Sequence, residues 1–151
     1  SEMGYVLPDP PSPLANYIPG YRSGNLVFLS GVGPRSSTGD SITGKLGKDL
    51  TVEQGYEAAK LCGLNLLANL KLIIGDLDKV DHIVKVLGMV NSAPDFGQQP
   101  DVINGCSDLL VGAFAEKGKH GRSAVGMNAL PHGIAVEIEM IVEVRDSRGN
   151  S

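Results

Sequence analysis

Residues 134–144 read IAVEIEMIVEV, and this run decides the fold. Ile134, Val136, Ile138, Met140, Val142 and Val144 hold every second position, while Ala135, Glu137, Glu139, Ile141 and Glu143 fill the places between. Side chains of a strand alternate between its two faces, so this period of two lays an unbroken apolar ladder on one of them. A helix would scatter the same residues around its circumference. The segment therefore reads as a strand with one face in a core. Its second face mixes carboxylates with Ala135 and Ile141. A face that is partly apolar suggests cover by another subunit, and a carboxylate held there needs a partner or a shifted pKa. Glu137 and Glu139 are thus candidates for a base.

Upstream, residues 123–127 form a further strand, and Leu130-Pro131-His132-Gly133 a turn. A helix is expected over about 101–117 despite Gly105 and Gly112, with Val102, Cys106, Leu109, Leu110 and Phe114 on its buried side and Gly118 and Gly121 ending it. Residues 82–90, rich in Val, Ile and Leu, read as an interior strand, broken at 91–95. An earlier helix starts near Thr51, where Gln54 completes a capping-box pattern and Asp49 places negative charge at the helix start. Leu61, Leu64, Leu67, Leu70 and Ile74 give it an apolar stripe, and Gly75 should stop it.

Near the N-terminus, residues 26–29 (LVFL) are continuously apolar between Gly24 and Gly31. That predicts a strand covered on both faces. Gly20 and Ser23-Gly24 look like the punctuation of a hairpin. Residues 33–47 read as a loop; Gly39, Gly44 and Gly47 with Lys45 and Lys48 do not follow the G-x-x-x-x-G-K-[ST] order of a phosphate cradle. The order strand–strand–helix–strand–helix–strand–strand implies an α+β fold, a mixed β-sheet with two helices packed on one face. Residues 1–14 are expected to be an extended Pro-rich segment, 15–145 a single domain, and 146–151 a polar tail.

The 151 residues suit one domain, and the net charge of −4 without any basic run argues against nucleic-acid binding. Cys62 and Cys106 lack CxxC spacing and read as buried small hydrophobes, which suits a reducing compartment and a cytoplasmic location. His82, His120 and His132 have no short metal-ligand spacing. No apolar run approaches the roughly 20 residues that span a bilayer, and the N-terminus lacks signal-peptide features. Arg122, between a Gly-rich turn and a strand, could hold a carboxylate through paired hydrogen bonds, although position alone favours an ordinary surface arginine at a strand start. Tyr17 and Ser30 are hydroxyls near the ends of the first strands.

Taken together, Arg122-Ser123-Ala124-Val125, Leu130-Pro131 and Val136-Glu137-Ile138-Glu139 resemble the C-terminal signature of the RidA (YjgF-type) family of reactive-intermediate deaminases, which also carries the older label endoribonuclease L-PSP. Tyr17-x-Pro-Gly and Leu29-Ser30-Gly31 match as well, so the resemblance spans about residues 15–145. It implies a chorismate-mutase-like fold, a homotrimer with sites in the clefts between subunits, and no cofactor. By resemblance Arg122 binds the substrate carboxylate, Glu137 positions or activates water, and Tyr17, Ser30 and Gly31 line the pocket. The implied reaction is hydrolysis of short 2-imino or enamine acids of the 2-aminoacrylate type to 2-oxo acids and ammonia. Many catalytic members carry cysteine where this chain has Ala124, and the Gly-rich segment before the first helix is longer. A non-catalytic carboxylate-binding trimer is therefore the alternative, and RNA cleavage a remote one.

Overall fold

The computed structural model describes residues 6–9 and 17–145. The Pro-rich segment and the polar tail fall largely or wholly outside the described residues. Strand β1 (Gly20–Ser23) and strand β2 (Leu26–Val32) form an antiparallel hairpin that turns at Gly24, whose φ of 61° favours glycine. Helix α1 spans Val52–Ile74. Strand β3 runs Val80–Asn91, helix α2 Gln99–Phe114, strand β4 Gly121–Met127 and strand β5 Val136–Val144. The sheet order is β1-β2-β5-β3-β4, with β4 parallel to β3 and the other pairs antiparallel. The mixed sheet, the two helices and the chain order are those expected from the sequence.

The capping box forms as read: Thr51 Oγ1 accepts from Gln54 N at 3.2 Å, while Gln54 Oε1 accepts from Thr51 N at 2.8 Å. Gly75 closes α1 with φ 88°. Both helices lie on one face of the sheet. Their Leu66, Leu70, Ile103 and Leu110 share one core with the ladder of β5, where Val136, Ile138, Met140, Val142 and Val144 are all buried. Gly88 of β3 lets α2 approach closely, since a Cβ there would lie 2.5 Å from Ile103 Cδ1.

The described structure revises several boundaries. β3 extends beyond 82–90 at both ends, α2 begins at Gln99 and gives way to a 3-10 turn over Ala115–Gly118, and β4 begins at Gly121. Arg122 is thus inside a strand. Residues 26–29 alternate, with Val27 and Leu29 buried but Leu26 and Phe28 partly exposed. Among the described residues the helices cover one side of the sheet only, so the expected cover on both faces is not seen there.

Candidate functional site

Register assigns each polar group to a face. Arg122 pairs with Val86, and Val86 with Met140, so Arg122 shares the helix-covered side of the sheet. Glu137 pairs with Met89, and Met89 with Val125, on the open side. Arg122 and Glu137 therefore point to opposite faces. β3 lies between their strands, and two inter-strand spacings plus three residues of offset separate their Cα atoms by on the order of 14 Å.

On the open side, β2 carries a β-bulge. Leu29 pairs with Met140 and Val32 with Ile138, so Ser30 and Gly31 together face Glu139 alone. The bulge turns both toward the carboxylates. Gly31 lies against Glu137: a Cβ at this position would be 2.5 Å from Glu137 Oε2 and 3.2 Å from its carboxyl carbon. Only glycine leaves this space to the acid. Ser30 Oγ donates to Ile18 O at 2.6 Å, and Ser30 N to Pro19 O at 2.9 Å, which ties the segment next to Tyr17 along β2. Tyr17 itself is 55% exposed. Partial burial raises the pKa of Glu137, and the neighbouring Glu139 raises it further. Both effects disfavour the carboxylate and bring the group nearer to a proton-exchanging role at neutral pH. Phe28, Ile141, Leu87, Met89 and Val125 share this face with the two acids and with Lys85 and Ser123, so it is largely apolar around Glu137 and Glu139.

At the sheet edge, Arg122 is half-buried and tied to α2. Its Nη1 donates to Asn104 Oδ1 at 2.8 Å and to Ser107 Oγ at 3.1 Å. Ser107 Oγ lies 2.9 Å from His120 Nε2, and His120 Nδ1 lies 2.6 Å from Gly118 O. A carbonyl only accepts, so Nδ1 carries the proton and Nε2 of the neutral ring accepts from the serine hydroxyl. Burial lowers the pKa of His120; the Gly118 carbonyl opposes this, and the nearby charges of Arg122 and His82 add to it. On the open side Lys85 Nζ donates to Ser123 Oγ at 3.2 Å.

Ser30, Gly31 and Glu137, singled out from the sequence, are brought together, with Tyr17 reaching them through Ile18 and Pro19. Arg122 is not among them. Asn104 and Ser107 were not singled out. Their three-residue spacing places them on one side of a helix, but only the packing of α2 beside β4 aims that side at Arg122. The cysteines are buried as expected, and burial pushes the Cys106 thiol up to about 12. A cavity of about 660 Å³ between the helices, lined by Leu64, Leu67, Leu109 and Phe114, contains none of the site residues. Among the described residues no helix is long and apolar enough to cross a membrane.

Two helices on one face of a mixed five-stranded sheet in this order define a chorismate-mutase-like α+β protein. Residues 2–143 match the family described as "YjgF/chorismate mutase-like, putative endoribonuclease", and the chain belongs to this YjgF/RidA family. Protein TCP17 of Trypanosoma cruzi is 41% identical over 145 residues, covering 95% of this chain and 91% of that protein. The crystal structure of Atu1372 from Agrobacterium tumefaciens, 43% identical, superimposes with a TM-score of 0.89 over 95% of this chain and 88% of the other. RidA from an Antarctic Psychrobacter is 24% identical with a TM-score of 0.62, over 90% of this chain and 94% of that one, a likeness of fold.

Proposed function

We propose that the chain assembles as a homotrimer whose inter-subunit clefts hydrolyse short 2-imino or enamine acids to 2-oxo acids and ammonia. The observation that carries this reading is the division of the polar groups between two faces. A cation whose Nε–H and Nη2 donors meet no partner among the described residues stands at the sheet edge, and an acid of raised pKa stands on a largely apolar open face. One chain cannot close both on a small ligand, but the edge of one subunit laid over the open face of the next can. The intact Arg122-to-Glu137 spacing of the family signature supports the same assignment.

In this site the Arg122 guanidinium holds the substrate carboxylate, which sets C2 beside a water held by Glu137. The imine carbon is already electrophilic, so orientation supplies much of the rate. Water adds to C2 of the N-protonated imine as Glu137 takes one of its protons, giving a neutral carbinolamine. Glu137 returns that proton to the nitrogen, and the C–N bond breaks as the carbinolamine hydroxyl gives its own proton to the carboxylate, so that the oxo acid and ammonia leave. Gly31 and Ser30 shape the wall beside Glu137, and Tyr17 closes the pocket mouth.

The test generates imino acids in situ with a flavin amino-acid oxidase and follows oxo-acid formation with and without the protein. Acceleration should be lost in Arg122→Ala while the fold, read by circular dichroism, is retained. Full activity in that variant would refute the assignment. Ala124 favours a second reading, carboxylate binding without turnover. It shares the face of Arg122, pairing with Gly88 and packing on the core. A melting temperature raised by short oxo acids with no product from any imino acid would select that reading.

A further inference from the structure

We infer that Asn104, Ser107 and His120 are positioning residues that present one particular edge of Arg122, its Nε–Nη2 side, to an incoming carboxylate. The inference rests on the carboxylate-clamp reading of Arg122 given above. A guanidinium has five N–H donors in a rigid plane. Both donors of Nη1 are matched, one to Asn104 Oδ1 at 2.8 Å and the other to Ser107 Oγ at 3.1 Å. Nε–H and the pair on Nη2 make no hydrogen bond among the described residues. Of the two edges that can receive two carboxylate oxygens side by side, Nη1–Nη2 and Nε–Nη2, the one that includes Nη1 is therefore taken. The remaining edge lies directly opposite Nη1 across the guanidinium carbon, and so faces away from α2.

The acceptors that hold Nη1 are themselves oriented. Asn104 and Ser107 are three residues apart on α2, a 16-residue helix, and so move together. The Ser107 hydroxyl proton is committed to His120 Nε2, because His120 Nδ1–H is held by Gly118 O. This leaves a serine lone pair for the arginine and gives the chain one polarity, from Arg122 to Ser107 to His120 to Gly118. A free arginine at an edge strand would sample many rotamers and lose that freedom on binding. Here much of it is already lost in the unliganded chain.

The probe is 2-oxobutanoate, which resembles the proposed product and requires no turnover. Its dissociation constant is measured by calorimetry for the wild type, Asn104→Ala/Ser107→Ala, Ser107→Thr and Arg122→Ala. The Arg122 side-chain Nε–H is followed by ¹⁵N NMR. In the wild type the Nε–H resonance should shift on binding. The double variant should bind at least tenfold more weakly at an unchanged fold, whereas Ser107→Thr, which keeps the hydroxyl, should stay within about twofold. Wild-type affinity in the double variant would overturn the positioning role and leave the clamp intact. Binding that needs Arg122 but leaves Nε–H unmoved would overturn the edge assignment. No difference between wild type and Arg122→Ala would remove the clamp reading itself, and this inference with it.

Discussion

Gly31 owes its place to one carboxylate. Its φ is not in the left-handed region, so what requires glycine is the Glu137 side chain lying where a Cβ would be. The obstacle is the end of a flexible acid rather than backbone, so Gly31→Ala should fold, with a loss in melting temperature of a few degrees at most. Glu137 would have to swing aside, and imino-acid turnover should fall at least tenfold, measured in the oxidase-coupled assay. Glu137 itself makes a prediction about pH. Its pKa is raised in the folded chain, by burial first and Glu139 second. In the window from the ordinary glutamate pKa, about 4.3, up to the raised value, the folded state binds more protons than the unfolded one. Stability contributed by this residue is thus lost as pH rises through that window. Glu137→Gln should raise the melting temperature at pH 7 and leave it unchanged near pH 3.5. An equal effect at both pH values would show that the residue is not strained by its charge.

Between the helices the controlling positions are glycines and caps rather than large side chains. Gly105 of α2 sits against the backbone of α1, where a Cβ would lie 2.0 Å from Tyr56 O, while a Cβ on Gly63 of α1 would meet only side-chain atoms first, Leu109 Cδ2 at 2.8 Å and Cys106 Sγ at 3.3 Å. Backbone cannot yield as a side-chain end can. Gly105→Ala should therefore destabilise at the upper end of the overpacking range, about 3 kcal/mol, read from urea unfolding. Thr51→Ala removes one side of the capping box and should cost about 1 kcal/mol. Read as a helix that tolerates two glycines, α2 was legible in the sequence. That Gly105 is what lets the helices touch was not, since sequence spacing does not reveal which neighbour a small residue faces. The starts of β3 at Val80 and β4 at Gly121 precede those expected from the sequence for a related reason. Val80-Asp81 and Gly121-Arg122 have weak strand character alone and are held by pairing with β5 and β3.

At the scale of the whole molecule, the open sheet face exposes Phe28 at 44% on β2 and Val125 at 38% on β4, with Ile141, Leu87 and Met89 on the strands between. Contiguous apolar surface around two acids is what an association face looks like. The proposed trimer predicts a sedimentation mass about three times the chain's 15.8 kDa. Phe28 is an exposed side chain on the open face, so Phe28→Lys should leave the fold intact, shift the mass toward the single chain and abolish turnover together. A monomeric variant with full activity would exclude a site shared between subunits.

The alternation over residues 134–144, the capping box at Thr51 and the stop at Gly75 determined the element types and their order without reference to any other part of the chain. Their causes are local: side-chain alternation, a hydrogen bond three residues long, a backbone angle that suits glycine. The family signature likewise marked Arg122, Glu137, Ser30 and Gly31. Only the tertiary structure decided that Arg122 and Glu137 face opposite sides of the sheet, that the Ser30-Gly31 bulge turns toward the acid, and that Asn104 and Ser107 hold the arginine. These depend on strand register and on which helix packs beside which strand. Register is set by pairing between segments far apart in the chain, a shift of one residue reverses every side chain, and no local pattern records it.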